Sequence, residues 1–225
     1  MSFLLNPFRF AAAPSSFPAV ESVTGQSFSS DANSFNVILP ATVAGDLLWL
    51  HLAVLHSGTI TGPGGSWSNL RTPSSVNIFT GLIANGTEGG TSVVINKTGT
   101  ATTAAAQIIR VSNWSSVLAD IESATGGGLT NTATFDPPNL APSYGAGDTL
   151  WIAAYWAQPS VVSLTTYPDD TVNQNYQNDE SAGFICEVAC ATRQLNAPSW
   201  DPTAFVASGN QGNAAAYTFA IKAAA

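Results

Sequence analysis

The sequence predicts an all-β protein: a single jelly-roll-like β-sandwich, built from two tandem half-repeats and preceded by an extended N-terminal arm. The first observation is a repeat, because the stretch 44–50 (AGDLLWL) returns at 146–152 (AGDTLWI). The second is that short alternating apolar segments are separated by glycine- and asparagine-rich turns, which is typical of strands. The third is that almost no segment has the periodicity of a helix. Two such halves that fold face to face would make one sandwich.

The first half spans about residues 21–112, and each half supplies four or five predicted strands. Pro40 and the turn signal Asn85-Gly86 separate neighbouring strands. Besides a polar segment at 21–33 that looks like an edge strand with a loop, the predicted strands are a short strand at 35–39, the strand from Asp46 to about His56, and strands at 76–84, 91–95 and 104–111.

The repeated stretch combines a tight turn with a central strand. Glycine tolerates positive φ and aspartate accepts hydrogen bonds from nearby backbone, so the expected structural turn residues are Gly45, Asp46, Gly147 and Asp148. Side chains alternate across a strand, so each copy presents a continuous apolar face. These faces are Leu48, Leu50, Leu52 and Val54 in the first copy, and Leu150, Ile152, Ala154 and Trp156 in the second. The opposite faces are also poor in charge, which predicts strands covered on both sides.

The second half spans about residues 130–222 and repeats the first in order. Residues 115–123 of the connecting segment could form one or two helical turns, because Ser115 and Ser116 are suitable N-caps. Predicted strands at 184–191 and 214–222 correspond to those from Val76 and Ala104. A single domain at 21–225 is preferred because the connection is short, and two separate small sandwiches are the alternative.

Residues 1–20 form an arm that contains aromatic residues and prolines. Prolines prevent regular ladder pairing, and so many aromatics on a free tail would be a liability. We therefore expect the arm to pack either on its own domain or on a neighbouring subunit. Its expected interface residues are Phe3, Phe8, Arg9, Phe10 and Phe17. No basic segment precedes the apolar residues, so we expect no cleaved signal peptide.

The composition excludes several functional classes. Charged residues make up 9% of the chain, the net charge is −8, and the six basic residues are scattered. Nucleic-acid binding needs clustered basic residues, so we expect none. No apolar run approaches the length of a membrane span. Cys186 and Cys190 lie four apart on a predicted strand, about 13 Å from each other, so we expect small buried residues and no mutual disulfide.

Chemical motifs are few, and we expect no catalytic residue, no metal site and no cofactor. His51 and His56 are five apart on one predicted strand and would face opposite sides. The polar segment 169–180 is predicted to be a loop, either a solvated hairpin tip or a ligand contact, because its oxygens suit calcium or sugar hydroxyls. Trp67 near a glycine-rich loop could stack on a sugar. The residues expected at such a contact are Trp67, Asp169, Asp170, Tyr176, Asp179 and Glu180.

The order of several motifs resembles a group of viral proteins. The opening at 6–11 (NPFRFA) looks like the start of tailed-bacteriophage virion proteins. The segments 44–48, 86–91 and 104–107, with a glycine-rich loop before Trp67, are together similar to small jelly-roll phage proteins. That loop is slightly longer than is usual in the group.

The resemblance implies a virion structural protein without catalytic residues. It implies a capsid decoration (cement) protein, made in the host cytoplasm and located on the capsid surface rather than the tail. The implied partners are further copies of the chain, as a homotrimer, and the major capsid protein or another virion protein. The alternative is a tail or fibre component that acts as a receptor- or carbohydrate-binding module.

Overall fold

The computed structural model describes residues 17–55, 58–100, 102–158, 163–181 and 184–224. In these residues the chain forms sixteen β-strands and one turn of 3-10 helix. Every pairing between the strands is antiparallel. The prediction of an all-β sandwich is confirmed.

Each half contributes eight strands. The first half contains β1 (Ala19–Ala32), β2 (Ser34–Ile38), β3 (Leu47–Val54), β4 (Ile60–Thr61), β5 (Ser68–Asn69), β6 (Asn77–Ile83), β7 (Ser92–Lys97) and β8 (Thr102–Ser112). The 3-10 helix at Leu118–Asp120 follows. The second half contains β9 (Glu122–Thr125), β10 (Thr132–Phe135), β11 (Asp148–Gln158), β12 (Leu164–Thr166), β13 (Val172–Ser181), β14 (Phe184–Asn196), β15 (Phe205–Gln211) and β16 (Asn213–Lys222).

The two halves have the same sheet topology. The first half forms a five-stranded inner sheet in the order β1-β8-β3-β6-β5 and a three-stranded outer sheet in the order β2-β7-β4. The second half forms an inner sheet in the order β9-β16-β11-β14-β13 and an outer sheet in the order β10-β15-β12. Adding eight to each strand number of the first half gives the second half, so the repeat extends to the whole topology.

The four sheets stack as four layers around three apolar cores. The two inner sheets pack against each other over a shared core that includes Trp49, Phe79 and Phe219. Each inner sheet also packs on its own outer sheet, over a core around Leu50 in the first half and around Tyr155 in the second. Each half is thus a two-sheet sandwich by itself, and the two sandwiches share a core, whereas the sequence predicted that the two halves together make one sandwich. The central strands β3 and β11 are covered on both sides, as predicted.

The apolar faces of the two central strands point in different directions. Leu48, Leu50, Leu52 and Val54 do share one face, and that face meets the outer sheet of the first half. Leu150, Ile152, Ala154 and Trp156 also share one face, but that face lies in the core between the inner sheets. The sequence repeat therefore aligns residues that the fold places on opposite sides of their sheets.

Aromatic residues fill the centre of the shared core. The ring of Trp49 lies 5.4 Å from that of Phe219 in an edge-on arrangement, and the rings of Phe79 and Tyr217 lie 4.7 Å apart. Such pairs stabilise by roughly 0.5–1.5 kcal/mol each beyond the area that they bury. Cys186 and Cys190 are also buried in this core, as small apolar residues would be.

The edge strands β1 and β13 lie against each other where the two inner sheets meet. The hydroxyl of Ser27 donates to the backbone carbonyl of Asn178 at 2.6 Å. A Cβ on Gly25 would lie 2.0 Å from Cγ of Gln177, so this approach requires glycine. The prediction of a loop at 169–180 is wrong from Val172 onward, because these residues pair with β14 and cover the edge of the sheet.

Three further expectations differ from the structure. The prediction of four or five strands in each half is wrong, because polar or very short strands such as β4, β5 and β12 carry little apolar pattern. The helical turns expected at 115–123 reduce to the 3-10 turn Leu118–Asp120. β1 begins at Ala19, so the last two residues of the segment 1–20 belong to a strand.

Candidate functional site

The predicted arm interface lies almost entirely outside the described residues. Phe3, Phe8, Arg9 and Phe10 belong to the segment that the structure does not describe. Phe17 is the first described residue, and its backbone carbonyl accepts a hydrogen bond from Nδ2 of Asn113 at 2.9 Å. The arm therefore joins the body beside the end of β8.

The first copy of the Gly-Asp pair is a turn, as predicted. Gly45 has a φ of 93°, and the amide of Asp46 donates to the carbonyl of Val43 at 3.1 Å. The carboxylate of Asp46 accepts from the amide of Val43 at 2.8 Å and from Nε of Arg110 at 2.5 Å. Asp46 is 5% exposed, so this ion pair is largely shielded from solvent and holds the turn against β8.

The second copy of the pair is built differently, and the prediction that Asp148 is a turn residue is wrong. The turn comes earlier, where the amide of Gly145 donates to the carbonyl of Pro142 at 3.0 Å and Gly145 has a φ of 72°. Gly147 lies between that turn and the strand, outside the positive-φ region. Asp148 is the first residue of β11 and pairs with Asn196, whose Nδ2 donates to its carboxylate at 2.8 Å.

Of the acidic residues in the predicted contact segment, the structure describes the side chains of Asp169 and Asp170. Asp169 and Asp170 occupy an exposed turn before β13, and the carboxylate of Asp170 lies 3.7 Å from the guanidinium of Arg193. An exposed pair of this kind contributes roughly 0–1 kcal/mol. Asp179 and Glu180 pair through their backbones with β14, and their side chains lie outside the described part of the chain.

The two predicted aromatic contact residues belong to separate cores. Trp67 is half-buried and packs against the core between the sheets of the first half. Tyr176 is half-buried against the corresponding core of the second half. Two inner sheets separate these cores, so Trp67 and Tyr176 do not form a common site.

Tyr176 instead contributes to a buried polar cluster around Glu187. Glu187 on β14 is fully buried and is the only charged or polar residue of the segment 184–191 apart from the two cysteines. Its carboxylate accepts hydrogen bonds from the hydroxyl of Tyr176 at 2.6 Å, the hydroxyl of Tyr155 at 3.2 Å and Nε2 of Gln211 at 2.8 Å. One carboxyl group thus accepts hydrogen bonds from β11 and β13 of the inner sheet and from β15 of the outer sheet.

Burial controls the ionisation of Glu187. It raises the pKa of this carboxyl from 4.5 to about 7, although the three hydrogen bonds oppose the shift. Neither ion pair found in the described residues involves Glu187, so no such pair compensates its charge. Burial and the nearby carboxylate also raise the pKa of Tyr155 and Tyr176, which stay protonated as donors.

The shared core contains one histidine with no polar partner. His51 is fully buried and stacks on Phe79 with ring centres 4.0 Å apart, and neither ring nitrogen makes a hydrogen bond. Burial lowers the pKa of His51 to about 3, so the ring is neutral. His56 lies outside the described residues. In the part of the chain that the structure describes, no three His, Cys, Asp or Glu residues come together as metal ligands.

A polar pocket lies at the start of β11, beside the second Gly-Asp pair. Its volume is about 370 Å³, and Tyr144, Asp148, Asn196 and Lys222 line it. The ammonium group of Lys222 lies 5.6 Å from the ring centre of Tyr144. The pocket thus combines a carboxylate, an amide, a cation and an aromatic ring, which can bind a small polar ligand.

The two outer sheets present uncharged faces to solvent. The exposed residues of β2, β4 and β7 are Ser34, Asn36, Ile38, Thr61, Ser92, Val94 and Asn96. Those of β10, β12 and β15 are Thr134, Thr165, Thr166, Ser208 and Asn210. Among the described residues of these six strands, no exposed side chain is charged. Ile38 and Val94 are 58% and 42% exposed, which places two large apolar side chains on one of these faces.

Sequence reasoning missed the residues of the buried cluster and of the polar pocket. Glu187 has a visible signal, because it is a lone carboxylate in the apolar segment 184–191, and such a group needs buried partners. Asn196 and Lys222 have no such signal, since only the pairing of β11 with β14 and β16 brings them beside Asp148.

Comparison with known proteins finds no matching family model, no similar curated protein and no similar solved structure. The resemblance to phage proteins therefore depends on the motifs alone and stays a prediction. In the described ranges, no helix has the length and apolar character needed to cross a membrane.

Proposed function

We propose that this chain is a structural protein of a tailed-phage virion, and that it is a capsid decoration protein that stabilises the head through contacts between subunits. The observation that carries the proposal is the pair of uncharged outer faces, one on each side of the four-layer stack. The cores of protein interfaces are depleted of charged residues, and flat β-surfaces can bury area without desolvating ions.

The connectivity of each half supports the same proposal. In a jelly roll, eight strands form two sheets through two Greek keys, and this architecture occurs in viral capsid and lectin domains. Here the eight strands of each half divide five and three, and β1 to β5 alternate between the inner and the outer sheet. We infer that each half has jelly-roll connectivity.

In the proposed assembly the protein is a homotrimer, and its outer faces bind neighbouring subunits or the major capsid protein. Residues 1–16 of the arm contact a neighbour. Deletion of residues 2–16 leaves β1 intact and tests this role, since capsid binding at the wild-type level after the deletion would exclude it. Sedimentation equilibrium measures the oligomer, and a monomer at micromolar concentration would exclude the trimer.

Introduction of positive charges on the outer faces tests the proposed mode of binding. The double variants Ile38→Lys/Val94→Lys and Ser208→Lys/Asn210→Lys each add two charges to one outer face without touching a core. We expect at least one of them to reduce occupancy on purified capsids at least tenfold, because a buried unpaired lysine is costly. Val172→Lys is the matched control, since Val172 is 60% exposed on an edge strand. Wild-type occupancy for both double variants would contradict the proposal.

A tail or fibre module that binds a receptor carbohydrate is the second candidate. The polar pocket favours it, because Asp148 and Asn196 offer hydrogen-bonding groups beside the ring of Tyr144. A glycan array should then show specific binding that Asn196→Ala abolishes and that Asn36→Ala, on an outer face, leaves unchanged. Failure of the wild-type protein to bind any glycan would remove this candidate.

A further inference from the structure

A second pocket opens where the two halves meet, away from the polar pocket. Its volume is about 320 Å³, at the lower end of the range for small-molecule sites. The lining residues from the second half include Trp156 and Gln158 at the end of β11, Asn213 and Ala215 at the start of β16, and Leu129 and Thr130 between β9 and β10. Val76, directly before β6, belongs to the first half, so both halves contribute to the pocket.

The walls of this pocket are mostly apolar, and the polar groups of Trp156 and Leu129 are already paired. Nε1 of Trp156 donates to the hydroxyl of Tyr217 at 3.0 Å. The backbone amide and carbonyl of Leu129 pair with Ala214 at 2.8 and 2.9 Å. The wall groups that a ligand meets here are therefore mainly the indole ring and aliphatic side chains, besides the exposed side chains of Thr130 and Asn213. None of the described residues that line the pocket is charged.

Gln158 contributes a buried polar side chain to the wall. It is 8% exposed, and its side-chain carbonyl Oε1 is buried without a hydrogen-bond partner. A buried acceptor that lacks a donor costs about 1–3 kcal/mol, so a ligand that supplies a donor recovers this free energy on binding. Since the wall is mostly apolar and Thr130 and Asn213 are exposed to solvent, Oε1 of Gln158 is the buried acceptor that a ligand can pair, and the ligand that fits is neutral, mostly apolar and carries one donor.

We propose that this pocket binds a small apolar molecule that carries a single N–H or O–H donor, which pairs with Oε1 of Gln158. The apolar part of the molecule packs on the ring of Trp156, where an aromatic ligand gains an additional favourable ring contact. Because Val76 and Trp156 come from different halves, the bound molecule also stabilises the contact between the two sandwiches. The site is independent of the proposed role in the virion.

Two ring molecules of the same shape test the proposal. Indole carries an N–H donor, whereas benzofuran has the same ring shape without it. Calorimetric titration of the full chain should show saturable binding of indole that is about threefold to tenfold tighter than that of benzofuran, as expected from one neutral hydrogen bond. Equal affinities, or no saturable binding of indole, would overturn the proposal.

Substitution of Gln158 locates the donor contact. Gln158→Met removes the acceptor at nearly constant shape, so indole and benzofuran should then bind equally. Gln174→Met, an exposed residue of β13, is the matched control and should keep the preference for indole. A preference that persists in Gln158→Met would overturn the assignment of Gln158. Because the comparison of probes in the wild-type protein stands alone, instability of a variant does not remove the test.

Discussion

Replacement of Glu187 by Gln should change how the stability of the protein depends on pH. Burial raises the pKa of Glu187 from 4.5 to about 7, so the folded protein keeps this proton to a higher pH than the unfolded chain does. The resulting contribution to stability is fully present below pH 4.5 and is lost as the pH rises through about 7. Glu187→Gln removes the titrating group, and the introduced amide remains neutral at every pH.

The size of the effect follows from the shift. One pKa unit corresponds to about 1.4 kcal/mol, so a rise from 4.5 to about 7 amounts to about 3 kcal/mol. Tyr176 can donate to the oxygen of the introduced amide at the former Oε2 position. The amide nitrogen at the former Oε1 position can donate to the hydroxyl of Tyr155 and, after the Gln211 amide turns, to the buried Oε1 of Gln211, which lacks a partner. We therefore expect the variant and the wild-type protein to be similar in stability at pH 4.5, and the variant to be more stable by about 3 kcal/mol at pH 8.5.

Urea unfolding followed by tryptophan fluorescence at a series of pH values measures the difference. The free energy of unfolding of the variant minus that of the wild-type protein isolates Glu187, because other groups titrate equally in both. Tyr176→Phe provides a directional check, since the hydrogen bond from Tyr176 lowers the pKa of Glu187 and its loss should move the transition above pH 7. A difference that stays constant from pH 4.5 to 8.5 would refute the reasoning.

Three further predictions concern the core, the repeated turn and the contact between edge strands. His51→Phe should remove the rise in stability between pH 3 and 6.5, because the lowered pKa of His51 makes the folded state lose this proton at a lower pH than the unfolded chain does. Urea unfolding at pH 4 and 7 tests this, and a pH dependence equal to that of the wild-type protein would count against it. Asp46→Ala should lower the free energy of unfolding by about 2 kcal/mol and Asp148→Ala by under about 1 kcal/mol, since of the two only Asp46 has a shielded ion pair. Equal losses of stability in chemical unfolding would contradict this difference. Gly25→Ala should destabilise the protein by about 1–3 kcal/mol, and Gln177→Ala in the same chain should restore most of this stability. Thermal unfolding of the wild-type protein, the two single variants and the double variant gives the coupling energy, and additive effects would disprove a clash between the two residues.

The central strands were predictable from their apolar residues, whereas the polar strands were not predicted as strands. The segment 47–54 is mostly apolar, because it forms β3 and every residue of β3 is buried. Val172–Ser181 carries none, because this edge strand owes its conformation to pairing with β14 and to contact with β1. Strand propensity depends on such surroundings more than on the residues themselves. A polar edge strand therefore looks like a loop until its partner is known.

The repeated Gly-Asp pair shows why local identity does not ensure equivalent structure. Asp46 meets Arg110 from β8, whereas Asp148 meets Asn196 from β14. The partner in each case comes from a distant part of the chain, which the pair itself does not reveal. The repeat correctly indicated two related halves, but it did not indicate which face of each strand would meet the other half.

The buried cluster was only partly visible in the sequence. Glu187 is a lone carboxylate in the apolar segment 184–191, which indicates that it needs buried hydrogen-bond partners. The partners Tyr155, Tyr176 and Gln211 come from three different strands, so only the fold identifies them. Gln158 is hidden for the same reason, because its unpaired acceptor is a property of the packing around it.

Cryo-electron microscopy of the assembled particle tests the central claim most directly. The claim is that the chain is a head protein whose uncharged outer sheets contact its neighbours. We predict density for the four-layer stack on the capsid surface, with β2-β7-β4 or β10-β15-β12 buried against an adjacent subunit. Density at the tail tip, particles that lack the protein, or a head protein with both outer sheets facing solvent would contradict it.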